Sequence, residues 1–291
     1  MTDNRGVPQE PVFRRATVED LVPAAGVFNR AQNELHAQFA IARVDRAVEV
    51  FTIPQAHVLA HDPDRCHVAV VDGLVAGYTS AIVRDDAWYF SALFVDPSAQ
   101  GGGIGQRLFQ LAAAGWPARR MTITEAIQPV SNAIYARQGL FPSTPILEMG
   151  GRARIDAPTD VRATTPRPGE LARLDALGYG FDRAVDHEFW GRHAELTLWR
   201  RRERPIAYAY VSPTGTIGPL VGRDPASAAT ALRAELARRS EVDLEIPGSA
   251  PALVAVALEA GLRFVEAPGL LLHSVPVRPP SAVVISGFWL L

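Results

Sequence analysis

Residues Val95-Asp96-Pro97-Ser98-Ala99-Gln100-Gly101-Gly102-Gly103-Ile104-Gly105-Gln106-Arg107-Leu108 carry an apolar strand through a glycine turn into a helix. The glycines remove the side chains that would hold a ligand away from the backbone. The helix that follows offers N–H groups with no intrahelical acceptor at the positive end of its dipole. Such a segment suits a diphosphate. Tight turns also need glycine for positive φ when nothing binds, so the flanking residues carry the decision.

The chain has 291 residues, long for one compact core, and two domains are predicted. Hydrophobic residues make up 48% and charged residues 21%, the balance of a folded globular protein. A formal net charge of -2 gives no global field for nucleic acid or anionic lipid, so an anion site has to be made by local geometry. Cys66 is the single cysteine, which excludes an intramolecular disulfide, and the polar start Met1 to Pro11 lacks the apolar centre of a signal peptide. The expected compartment is the cytoplasm. Apolar runs such as Ala252 to Leu258 are too short to cross a bilayer, and no membrane anchor is expected.

Val12 to Thr17 reads as a strand and Val18 to Gln38 as a helix, followed by an irregular, histidine-containing region. Asp72-Gly73 is a strong hairpin signal between His67–Val71 and Leu74–Val83, and Trp88–Val95 is the next antiparallel strand. A helix over Gly103–Gly115, a strand over Arg120–Thr124, a helix over Val130–Gln138 and a short strand at Ile146–Met149 complete the first half. Gly150-Gly151 and the Pro/Thr-rich stretch Asp156 to Pro168 read as a domain junction. Beyond it the order recurs. Arg162-Ala163-Thr164 echoes Arg15-Ala16-Thr17, Asp224-Pro225 echoes Asp96-Pro97, and Gly261-Leu262-Arg263-Phe264 echoes Gly139-Leu140-Phe141. In that alignment Ala228 stands where Gln100 does, and Ala229, Thr230, Ala231 and Arg233 stand opposite Gly101, Gly102, Gly103 and Gly105. Side chains there block close approach to the backbone, and the second half is predicted to bind no diphosphate.

The first half resembles the GNAT superfamily of N-acetyltransferases, on two motifs. Val95-x-Pro97 followed by Gln100-Gly101-Gly102-Gly103-Ile104-Gly105 fits the family's strand exit and glycine turn, and Tyr135 before Gly139-Leu140-Phe141 fits its downstream helix. The resemblance implies an α+β fold of two GNAT-like domains, each a mixed, mostly antiparallel sheet flanked by helices. Residues 1–150 would be the acetyl-CoA-binding domain, and 151–291 a degenerate copy without the glycine turn. It further implies acetyl-CoA as donor, with pyrophosphate on the N–H groups of Gly101, Gly102, Gly103, Ile104, Gly105 and Gln106, close to Gln100. Pantetheine would pair like a strand along Leu93, Phe94 and Val95, with Gln128 and Asn132 as contacts for its arm. An amine attacking the thioester puts negative charge on the carbonyl oxygen and expels a thiolate that needs a proton. Tyr135, protonated at neutral pH with an unperturbed pKa of about 10, suits that acid role. Members of the family often carry a carboxylate on the strand before the turn, but Trp88–Val95 has none. Glu125 and a water chain through Ser91 are the two candidate bases.

The resemblance implies a small-molecule or peptide amine as acceptor, in a monomer or homodimer, and the second half and the region Asn29 to Asp62 are expected to help wall its site. His57, His61, Asp62, Asp64, Cys66 and His67 are the densest set of potential metal ligands, but the spacing matches no metal motif and no metal is expected. The run Arg200-Arg201-Arg202-Glu203-Arg204 sits at an expected hairpin and reads as a solvated tip, not a nucleic-acid patch. Two rival readings stand beside acetyl transfer. One is a non-catalytic acetyl-CoA sensor or interaction module. The other is a dinucleotide-binding oxidoreductase, which Gln106 at the third glycine position and the antiparallel context of the preceding strands oppose.

Overall fold

The computed structural model describes residues 10–42, 44–274 and 278–291. They fall into two compact units. The first takes the chain up to Val83 together with Trp88–Trp116, and the second takes Arg84–Ala87 and Pro117–Leu291.

In the first unit, strands β1 (Val12–Arg15), β2 (His67–Val71), β3 (Leu74–Arg84) and β4 (Ala87–Val95) are neighbours in that order. Asp72 and Gly73 close the β2–β3 hairpin with φ of 50° and 79°, the conformation that the dipeptide predicts. Helix α1 (Leu21–Gln38) starts three residues later than the sequence suggests, after a 3-10 turn at Val18–Asp20. The Asp20 carboxylate there accepts from the Thr17 backbone N–H at 2.8 Å and pairs with Arg14 at 2.6 Å. The irregular region expected after α1 is corrected by helix α2 (Val48–His61), which runs through Pro54. Phe51, Gln55 and Val58 recur at helical spacing and are almost fully buried. Packing of that face offsets the roughly 3 kcal/mol that an interior proline costs a helix.

Helices α1 and α2 cover one face of this sheet, where the rings of Phe28 and Phe94 lie 4.9 Å apart and those of Phe51 and Tyr78 lie 5.3 Å apart. Helix α3 (Ile104–Ala112) covers the other. It approaches at Gly77, where an added Cβ would sit 2.9 Å from Leu108 Cδ1. Alternation along β4 breaks in the middle. Phe90 meets Phe109 of α3 and Ser91 meets Gln55 of α2, yet Leu93 and Val95 pack on the α3 side and Phe94 meets Phe28 of α1. One residue, Ala92, is therefore out of step, a bulge whose carbonyl accepts from Thr79 Oγ1 at 3.0 Å.

The second unit holds β5 (Arg119–Glu125), β6 (Phe141–Arg152), β7 (Arg162–Thr164), β8 (Glu195–Arg201), β9 (Arg204–Val211), β10 (Thr216–Gly222), β11 (Glu241–Pro247), β12 (Arg263–Phe264), β13 (Gly269–His273) and β14 (Val283–Val284). The strand order is β5-β13-β6-β11-β10-β9-β8-β7, with β12 beside β6 and β14 beside β10. β10 and β11 run parallel, whereas the pairs β13–β5, β13–β6, β11–β6 and β10–β9 are antiparallel. The helices are α4 (Pro129–Arg137), α5 (Glu170–Gly178), α6 (Ala184–His193), α7 (Pro225–Leu236) and α8 (Pro251–Glu259). The α+β class is as the sequence predicts.

Strands from before and after residue 150 alternate in this sheet. β6 pairs with β13 over Phe141–Ile146 and with β11 over Ile146–Arg152. The short strand expected at Ile146–Met149 is corrected by this longer strand, which runs through Gly150 and Gly151 to Arg152. An added Cβ on Gly150 would lie 3.3 Å from the Val242 carbonyl, and Gly151 has φ of 130°, so these glycines serve strand contact instead of breaking the chain. The boundary at Trp116 between the compact units lies apart from the one the sequence suggests near residue 150.

Candidate functional site

β4 leaves its sheet at Asp96, whose N–H donates to the Ala76 carbonyl at 2.8 Å. The Asp96 carboxylate accepts from the Ser98 N–H at 3.0 Å, the Ser98 hydroxyl at 2.6 Å and Arg30 Nε at 2.6 Å. Partial burial by itself would raise its pKa, but these donors outweigh that and hold it below the ordinary carboxylate value. Gln100 folds back so that its amide nitrogen donates to the Val95 carbonyl at 3.0 Å. It shapes the turn from inside, a use that the sequence did not reveal. Gly101 and Gly103 take φ of 84° and 80°. An added Cβ at Gly101, Gly102 or Gly103 would meet no atom within 4 Å, while at Gly105 it would make an ordinary 3.5 Å contact with Val95. Backbone conformation thus demands glycine at 101 and 103, and nothing in the protein demands it at 102. The first backbone bond of α3 runs from Arg107 N–H to Gly103 O at 3.0 Å. The N–H groups of Ile104, Gly105 and Gln106 precede it and have no intrahelical acceptor. Beside the bulge, the Gln55 carboxamide accepts from Tyr78 Oη at 3.0 Å and Ser80 Oγ at 2.7 Å, and donates to Ser91 Oγ at 3.1 Å. Ser91 therefore belongs to a buried neutral network, which reading α2 as irregular had hidden.

The remaining candidates stand in the second unit. Tyr135 on α4 is 5% exposed, and burial lifts its pKa above the ordinary tyrosine value despite a hydrogen bond with Ser131. Its proton is firmly held at neutral pH. Glu125 is half-buried at the end of β5, opposite Gly269 of β13. Gln128 caps α4, its side-chain oxygen accepting from Val130 N–H at 3.2 Å. Asn132 donates to the Gln128 carbonyl at 2.7 Å, and its buried side-chain oxygen has no hydrogen-bond partner among the described residues. Strand β13 reaches this turn directly, since Ala126 N–H donates to the Pro268 carbonyl at 3.2 Å.

The place in the second half that corresponds to the glycine turn is closed twice. Asp224 caps Ser227 N–H at 2.7 Å and α7 begins at once. An added Cβ on Gly222 would lie 2.5 Å from the Ala228 nitrogen, so the helix sits against the strand end. Second, β14 pairs with β10 at Leu220 and Val221, and Gly222 N–H donates to the Ala282 carbonyl at 2.9 Å. Val221 and Gly222 are the repeat counterparts of Leu93 and Phe94. Ala257 fills the Tyr135 place and is fully buried. A charged cluster lies under α5 and α6, where Asp175 bonds Tyr208 at 2.5 Å and His187 at 2.8 Å, and Arg84 pairs with Asp186 at 2.7 Å. His57 and His61 do share a helix face, with rings 4.6 Å apart, but no group of three His, Cys, Asp or Glu among the described residues is placed to hold a metal. Among the same residues no helix is long and apolar enough to cross a membrane. In the arginine run the hairpin forms as expected, except that Arg200 is buried and pairs with Glu170 at 2.6 Å instead of being solvated.

A bulged strand, a glycine turn and a helix in each of these positions define the GNAT class of fold, and residues 62–139 match the family model described as an acetyltransferase (GNAT) domain. The match covers the glycine turn and the strands beside it, and the fold of the whole chain is that of tandem GNAT structures. An unconfirmed acetyltransferase from Pyrococcus horikoshii superposes with a TM-score of 0.79 at 16% identity, covering 100% of this chain and 99% of that one. A GCN5-related N-acetyltransferase from Sphaerobacter thermophilus gives a TM-score of 0.64 at 17% identity over 95% and 100% of the two chains. A tandem GNAT protein from the clavulanic acid biosynthesis pathway gives 0.58 at 16% identity over 91% and 98%. Among curated proteins none matches the sequence.

Proposed function

We propose that the chain transfers an acetyl group from acetyl-CoA to a primary amine of a small molecule or peptide. The observation that carries this reading is the turn Gly101–Gly103, open on its outer side and aimed by β4 and α3. In this reading residues 1–150 supply the donor site and 151–291 have lost theirs. Pyrophosphate lies on the N–H groups of Gly101 to Gln106, and pantetheine runs along Leu93 to Val95, where the Ala92 bulge frees backbone N–H groups for the thioester oxygen. The amine lone pair forms the new C–N bond as the C–S bond breaks, and the Tyr135 hydroxyl gives the departing thiolate its proton. Glu125, or water relayed from Ser91, takes the proton that the amine loses. Gln128 and Asn132 hold the β5–α4 turn in shape, leaving the Gln128 amide nitrogen for the pantetheine arm.

Calorimetric titration with acetyl-CoA, with NAD as control, tests the donor. One equivalent per chain that is lost in Gly103→Glu supports the reading, and NAD binding or no binding overturns it. With a reacting amine in hand, Tyr135→Phe is expected to slow CoA release by roughly 100-fold or more while acetyl-CoA affinity is kept.

A further inference from the structure

The hairpin tip between β8 and β9 opens onto a groove of about 720 Å³ lined by Asp160, Arg201, Arg202, Glu203, Arg204, Ile206, Arg223, Asp224 and Ser227. Four arginines face three acids, and the acids are already engaged. Asp160 pairs with Arg201 at 2.7 Å, and Glu203 pairs at 2.7 Å with Arg162, which stands outside the groove. Asp224 caps α7 through one oxygen and has Arg223 at 3.9 Å from the other. Arg202 and Arg204 are exposed and make no ion pair or side-chain hydrogen bond among the described residues. Two guanidinium groups beside a concave surface, with every local carboxylate spoken for, leave two positive charges for an incoming anion.

We propose that this groove binds the phosphate group of a small phosphorylated molecule. A phosphate monoester carries close to two negative charges at neutral pH and several acceptor oxygens, which matches two forked donors better than a single carboxylate does. The groove has room for more than the phosphate itself. A polyanion such as RNA fits less well, because the chain as a whole is slightly acidic at -2 and the free arginines occupy one tip, not a stripe. The site is separate from the glycine turn and does not depend on the acetyl-transfer reading.

Inorganic phosphate titrated calorimetrically against the full chain, with sodium chloride matched for ionic strength, provides the test. Saturable binding that persists in Gly103→Glu and weakens at least tenfold in the double variant Arg202→Ala/Arg204→Ala supports the proposal. Both arginines are exposed, so the thermal midpoint of the double variant serves as a check that the fold is intact. Equal binding in the double variant, loss in Gly103→Glu alone, or a response to a short RNA but none to phosphate overturns it.

Discussion

Gly102 separates ligand from fold more cleanly than any of its neighbours. Gly103→Ala forces a Cβ onto a backbone at φ of 80° and is expected to cost about 1 kcal/mol before any ligand is considered. Gly102→Val meets neither strain nor a neighbouring atom, so stability should stay within about 0.5 kcal/mol while acetyl-CoA affinity falls tenfold or more. Unchanged affinity, read by calorimetry, would remove the turn from the donor site. Cys66 gives a second residue-scale expectation. Burial pushes its thiol up to about 12. The unfolded thiol ionises first as pH rises, so the native state loses stability between pH 9 and 12, by up to about 1.4 kcal/mol per unit. Urea unfolding at pH 8 and pH 10.5 should show this loss in the wild type and a smaller one in Cys66→Ala. At this scale the conformation of the glycine turn was legible because its signal is local. The inward fold of Gln100 and the neutral Gln55–Ser91 network were not, since each depends on a partner from another element.

Among elements, those closed by local signals were read correctly. Asp72-Gly73 names its own hairpin, and Gly139, at φ of 77°, ends α4 as expected. Elements whose local signal is opposed by packing were misread. Pro54 argues against α2, yet the buried face at Phe51, Gln55 and Val58 wins, and paired glycines argue for a break where β6 runs on. The join of β10 to α7 tests how tightly the second half has closed. Gly222→Ala would drive a methyl to within 2.6 Å of the Ala228 backbone, and is expected to destabilise the chain by about 2 kcal/mol or more in denaturant unfolding. An unchanged midpoint would mean that α7 can move away from the strand.

Across the whole molecule, the recurring order of elements was visible in three short echoes, but the exchange of strands was not, because the choice between partners of equal pattern is made only in three dimensions. β5 has β13 as its partner, and β6 has β13 on one half and β11 on the other. Residues 1–150 expressed alone would expose those edges and should aggregate, whereas co-expression with 151–291 should restore a soluble complex on size exclusion. A soluble, active 1–150 fragment would show the exchange to be dispensable. The strand β14 along β10 bears on the history of the duplication. A sequence that had merely drifted from its glycines could be repaired by restoring them at 229–233. The edge of β10 that would correspond to the proposed pantetheine strand is paired with Val283 and Val284, both fully buried. On the proposed donor-site reading, the second copy would have its own chain lying where the arm of a donor would run, and opening it would take two separate changes, glycines at 229–233 and removal of β14 from β10.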